Sequence, residues 1–121
     1  MRIHYFQRYH QKENVATANT MLLLSRIYTY SAVLKVISEE TRLKIIDMLS
    51  CGEMCACEIL EKLSITQSTL SYHMNLLAKS GLVFARKDGL WMRYRLNESK
   101  FKELKSFLDK ISTDKTDCIC K

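Results

Sequence analysis

The stretch "QSTLSYHMNLLAKSGLVFARKDGLWMRYRL", Gln67 to Leu96, changes its period half-way along. Up to Ser80 the apolar residues recur at helical spacing, with Leu70, Met74 and Leu77 on one side. Gln67, Ser71 and Asn75 fall on the opposite side, flanked by Ser68 and Tyr72. Gly81 is a stop signal. Beyond it the alternation is of period two: "LVFARK", then Asp88-Gly89, then "LWMRYRL". That pattern predicts a β-hairpin, with Asp-Gly as a two-residue type I′ turn. His73 falls on the apolar side of the helix and reads as a structural residue packed against the core.

Working outward, "SIT" before Gln67 makes a tight turn with Thr66 as N-cap, and a short helix carrying Ile59, Leu60 and Leu63 precedes it. A further helix is expected from Ser38, read as an N-cap, with acidic residues in its first turn and Leu43, Ile45, Ile46 and Leu49 on its apolar face. Gly52 is its stop signal. Residues 21–37 read as a helix with Leu23, Ile27, Tyr30, Leu34 and Ile37 at alternating steps of four and three, the spacing of a helix–helix seam. Phe101, Leu104, Leu108 and Ile111 form a second seam. The order helix, helix, short helix, tight turn, helix, hairpin, helix is that of a winged helix-turn-helix, mainly α with a β-hairpin wing. The two seams predict a homodimer through the N- and C-terminal helices. Three segments are expected: an N-terminal extension at 1–20, the DNA-binding and dimerisation domain at 21–111, and a cysteine-containing tail at 112–121.

The bulk properties agree with one helical domain. The chain has 121 residues, no proline and three glycines, which leaves little room for long loops. A formal net charge of +6 points to an anionic partner, with nucleic acid first. The most apolar stretch, "MLLLSRIYTYSAVLKVI", is too short to span a membrane comfortably and carries Arg26 and Lys35. The start "MRIHYFQRYHQKEN" lacks the apolar core of a secretory signal, so a cytoplasmic chain is expected. Residues 1–20, with Tyr5, Phe6, Arg8, Tyr9 and His10, read as an extra packed helix rather than a DNA-touching arm. Short polar side chains on an exposed helical face suit base edges and phosphates, so Gln67, Ser68, Ser71, Tyr72 and Asn75 are candidate contacts to double-stranded DNA. The hairpin is basic, and Arg86, Lys87 and Arg93 are candidate wing contacts to phosphate or the minor groove.

The five cysteines are grouped. In "CGEMCACEIL", Cys51, Cys55 and Cys57 share one loop-to-helix corner, and soft thiolates select soft ions. Residues at i and i+2 do not face each other in a regular helix, so Cys55 and Cys57 can grip one ion only where the turn is unwound. A helix entrance supplies that freedom, and its dipole is expected to lower a thiol pKa. Cys118 and Cys120 in "DCICK" repeat the spacing as candidate extra ligands. An enzyme is not expected: Cys-x-x-Cys, alternating strands and helices, and a general base near the thiols are all missing from the sequence.

"MCACEILEKLSITQSTLSYHMNLLAKSGLV" followed by "RKDGLWMRYRLN" resembles the ArsR/SmtB family of winged-helix metalloregulators, and "CAC" before "EIL" resembles the Cys-x-Cys of its arsenic-responsive branch. The resemblance covers roughly residues 30–111. It implies a homodimeric repressor on a palindromic operator, which leaves the DNA when inducer binds. By motif, it places the inducer ligands at Cys55 and Cys57. The inducer so implied is arsenite, As(III), or Sb(III); the alternatives are a soft divalent ion (Cd, Pb or Zn) and thiol oxidation. One departure stands out: where the arsenic branch has a third cysteine, this chain has Leu60. A third thiolate would then come from Cys51, from a tail cysteine or from a non-protein thiol.

Overall fold

The computed structural model describes residues 18–113, so the expectations for the N-terminal arm and for Cys118 and Cys120 lie outside the described residues. In chain order the elements are α1 (Ala18–Ile37), α2 (Glu40–Leu49), β1 (Met54–Cys55), α3 (Ala56–Lys62), α4 (Gln67–Lys79), β2 (Val83–Asp88), β3 (Trp91–Leu96) and α5 (Glu98–Ser112). Helices α3 and α4 with their turn are a helix-turn-helix, and β2–β3 is the wing. The strands form an antiparallel sheet in the order β1-β3-β2. Among the described residues no helix is long and apolar enough to cross a membrane.

One core joins these elements. Val33 comes from α1, Ile45 and Leu49 from α2, Ile59 from α3, and Leu70, Met74 and Leu77 from α4. Leu82 just before the wing, Val83 and Tyr94 from its strands and Leu104 from α5 complete it. Burying an aliphatic side chain of this size contributes about 1.5–3 kcal/mol. Helix α3, with 7 residues, is too short to hold itself together in water and depends on this packing. In α1 it is Val33, not the seam residue Leu34, that is buried within the chain. Leu34, Leu108 and Ile111 remain exposed.

The helix ends differ from expectation in one place. Ser38 does not cap α2: its hydroxyl donates backward to the Lys35 carbonyl at the end of α1. The N-cap is Glu39, whose carboxylate accepts from the Arg42 backbone N–H at 2.9 Å. A carboxylate there satisfies an orphan donor and complements the helix dipole, which the nearby but occupied serine cannot do. Thr66 caps α4 as expected, accepting from Thr69 N at 3.1 Å. The other end of α4 closes with two bonds, Gly81 N to Ala78 O and Leu82 N to Leu77 O, both 3.1 Å. That is a Schellman motif, and its left-handed residue is Gly81 at φ 82°.

The hairpin turn is also shifted. Asp88 pairs with Trp91, so the two loop residues are Gly89 and Leu90, not Asp88 and Gly89. Gly89 has φ 65°, and among the described residues no non-glycine has positive φ. A type I′ turn needs both central residues at positive φ; glycine alone, in first position, fits type II′. The one-residue slip matters, because it decides which side chains share a face. Strand β1 has no signal in the sequence. Two residues are too few for a periodicity, and only pairing with β3 makes Met54–Cys55 a strand.

Candidate functional site

Helix α4 presents its polar side outward. Gln67, Ser68, Ser71, Tyr72 and Asn75 are all exposed, while Leu70, Met74 and Leu77 are buried. Their burial fixes the rotation of the helix, and with it the direction in which the polar residues point. His73 is buried, as expected of a structural residue, but it is also hydrogen-bonded. Its Nδ1 lies 3.0 Å from an Arg42 guanidinium nitrogen, and the guanidinium can only donate, so the proton of the neutral ring is assigned to Nε2. Arg42 in turn donates through Nε to the Val36 carbonyl at 2.6 Å. The Arg42 backbone N–H holds the Glu39 carboxyl below its ordinary value, against an opposing effect of desolvation. Glu39 and Arg42 thus tie the end of α1 and the start of α2 to the exposed helix. Sequence reading counted Glu39 only among the acidic residues of the first turn and missed Arg42, which belongs to no motif and acts through its partners in the fold.

The wing is less freely basic than its sequence. Arg86 forms a two-pronged ion pair with Glu53, with Nη2 to Oε1 at 2.6 Å and Nε to Oε2 at 3.3 Å. Arg93 Nε donates to Asp88 at 2.8 Å. Arg95 lies over the Phe84 ring, 4.4 Å from its centroid. The Arg86 hydrogen bond is the main cause holding the Glu53 carboxyl below its ordinary value, with Arg93 and Arg95 adding to it. Of the three candidate wing residues, only Lys87 has no carboxylate partner among the described residues. Exposed pairs of this kind add little to stability, and each arginine keeps N–H groups outside its pair for a phosphate.

The cysteine corner lies at the entrance to α3. Cys55 is the N-cap, with extended backbone at φ −76° and ψ 149°, and Cys57 is inside the first turn. A regular helix would send the two side chains apart; with Cys55 still on the strand, they converge. The Cys57 thiol donates to Cys55 Sγ over 2.7 Å. The Glu58 carboxylate accepts from the Cys55 backbone N–H at 3.1 Å and steadies the corner. Cys55 is buried and Cys57 half-buried, and both are free thiols. The expectation of a lowered thiol pKa fails for Cys57. Its hydrogen bond to Cys55 favours the protonated form, desolvation adds to this, and the Glu58 backbone N–H only partly offsets them. Cys51 is exposed and not gathered with the pair: among the described residues no three His, Cys, Asp or Glu side chains are placed to hold one ion.

A polar helix over a packed core, a basic hairpin beside it and a thiol pair at the entrance to the helix before it now have a context. Residues 39–84 match the family described as "Bacterial regulatory protein, arsR family". An arsenical resistance operon repressor of Staphylococcus aureus is 44% identical over 91 residues, covering 75% of this chain and 88% of the relative. The chain belongs to the ArsR family. A second relative, described as a cadmium resistance transcriptional regulatory protein CadC homolog of Staphylococcus aureus, is 32% identical over 103 residues, 83% of this chain and 85% of that one. An ArsR-like transcriptional regulator from Rhodococcus sp. RHA1 superposes with a TM-score of 0.66 at 25% identity, covering 73% of this chain and 83% of the other. As an ArsR-family protein the chain is a DNA-binding transcriptional repressor and not an enzyme. The matched segment contains the whole helix-turn-helix and the Cys55–Cys57 corner, and stops at the first wing strand.

Proposed function

We propose that this repressor binds its operator through α4 and the wing, and is released when trivalent arsenic, or antimony, bonds to Cys55 and Cys57. The observation that carries the reading is the convergence of two sulfurs, 2.7 Å apart, at the entrance to the helix on which α4 packs. Two soft donors on one spot suit a soft ion and do not suit a hard one. Cys55 and Cys57 would hold the arsenic as thiolates, each thiol proton leaving with a displaced hydroxide as water. A third thiolate comes from Cys51, Cys118, Cys120 or a non-protein thiol. The arsenical repressor at 44% identity supports the inducer class. A soft divalent ion is the second reading, supported by the cadmium-resistance relative at 32% identity.

On DNA, Gln67, Ser68, Ser71, Tyr72 and Asn75 read the major groove, while Arg86, Lys87 and Arg93 touch phosphate or the minor groove. The protein acts as a homodimer through α1 and α5. Exposed Met21, Leu22, Tyr28 and Leu34 on α1, and Leu108 and Ile111 on α5, support that interface. Tyr30 stacks on Phe107 at 4.3 Å and joins the two helices into one surface.

The test is operator release. Cys55→Ser and Cys57→Ser proteins are expected to bind operator normally and to stay bound when arsenite is added, in a fluorescence anisotropy titration. Release of both variants at the wild-type arsenite concentration would show that the pair is packing alone. Release by cadmium and not by arsenite would select the second reading.

A further inference from the structure

The cysteine corner and the wing share one row of the sheet. In the order β1-β3-β2, Cys55 is paired with Arg93 and Arg93 with Arg86, so these three residues are cross-strand neighbours on the same face. Glu53, two residues before Cys55, reaches past the central strand to grip Arg86 on the far one. The loop holding the cysteines is therefore connected to the wing twice, by the β1–β3 ladder and by an ion pair that spans it.

Ligation changes the geometry of this row. Cys55 and Cys57 would hold the ion together, and its bonds to sulfur would replace the thiol–thiol contact between them. The positions of the two sulfurs would then be set by the ion rather than by that contact. Cys57 is fixed in α3, whose Ile59 is fully buried, whereas Cys55 belongs to a two-residue strand. The movement falls on β1 and on Glu53 next to it.

We propose that Glu53 is a positioning residue that couples the cysteine corner to the wing, fixing the Arg86 guanidinium for DNA in the unligated protein and losing its grip when Cys55 and Cys57 close on an ion. This rests on the reading of those cysteines as the inducer ligands. Arg86 uses Nε and one Nη2 hydrogen for Glu53, so its remaining N–H groups are held in a set direction for phosphate. An inducer shifts the DNA equilibrium only by its different affinity for the two shapes, and the Glu53–Arg86 pair is one place where those shapes differ.

The experiment compares wild type, Glu53→Gln, Arg86→Gln and the double variant, as full-length proteins. Operator affinity is measured with and without arsenite, and arsenite uptake by the DNA-free protein is titrated separately. Trp91, the one tryptophan of the chain, pairs with Asp88 at the wing tip, and its fluorescence reports on the wing. Glu53→Gln is expected to reduce the ratio of the two operator affinities by about fivefold or more. Arg86→Gln should do the same, and the double variant should add nothing further. Arsenite uptake should be unchanged, while the arsenite-induced change of Trp91 fluorescence disappears in Glu53→Gln. A wild-type affinity ratio in a Glu53→Gln protein that still takes up arsenite overturns the proposal and leaves the cysteine reading intact. Failure of the wild-type protein to take up arsenite overturns both. Should Glu53→Gln not fold, the ratio in Arg86→Gln decides the matter by itself.

Discussion

Helix α4 and the cysteine corner are built on opposite plans. Helix α4 runs 13 residues, is capped at both ends and sets three buried side chains into the core. The corner has a two-residue strand and the first turn of a 7-residue helix, joined through Cys55. One surface holds its shape before any partner arrives. The other has few local bonds to break, so an ion with its own preferred geometry can reshape it. A reader needs preorganisation, because ordering side chains on DNA costs affinity. A sensor needs the reverse, a short element whose shape a few kcal/mol can change.

The sharpest way to break this comparison is to attack the anchoring of α4. Leu77 is fully buried. Leu77→Ala should cost about 2–5 kcal/mol in a urea unfolding titration, from reduced burial and the cavity left behind. A cost under about 1 kcal/mol would mean that α4 is not held by its core face. Next in size is the reading face itself. Ser71→Ala or Tyr72→Ala should weaken specific operator binding by about 1–3 kcal/mol for each hydrogen bond to a base that the variant cannot make, with unfolding unchanged. Equal operator affinity in both variants removes this face from the groove.

The cysteine corner should show the opposite behaviour. Serine is a preferred N-cap, and Glu58 already stands at the third helical position, where a capping box places its acid. Cys55→Ser should therefore leave stability unchanged or raise it by up to about 1 kcal/mol, even as the response to arsenite is abolished. Marked destabilisation would show that Cys55 serves the fold first. The smallest effect concerns Glu39, whose folded carboxyl titrates below its ordinary value of 4.5. A lowered folded pKa gives stability that is present above the unfolded value and lost as pH falls through the folded one. Relative to wild type, Glu39→Gln should cost a few tenths of a kcal/mol near neutral pH, a difference that vanishes in acid, because the group is partly exposed and screened. A pH-independent difference between the two would rule out the carboxylate charge as its source.

The order of elements, the exposed side of α4 and the thiol pair were legible because each rests on local spacing. A helical period fixes which residues share a face wherever one side is buried, and Leu70, Met74 and Leu77 left no second choice for Ser71 and Tyr72. The cap at Thr66 and the stop at Gly81 follow from the backbone chemistry of single residues. The remaining features were decided by which groups meet in the folded chain. Glu39 caps α2 because its carboxylate meets the Arg42 N–H while Ser38 is engaged with Lys35. The turn falls at Gly89-Leu90 because the β2–β3 register places Asp88 opposite Trp91. Strand β1 exists only because β3 lies beside it, and that pairing leaves Cys55 outside the helix and facing Cys57. The spacing of two cysteines names a soft donor set; whether they meet depends on backbone torsions set by a strand almost forty residues further along the chain. The same holds for Arg86, which the sequence counts as a free positive charge and the fold hands to Glu53. Charge and period are properties of a residue and its near neighbours, whereas partnership is a property of three-dimensional packing.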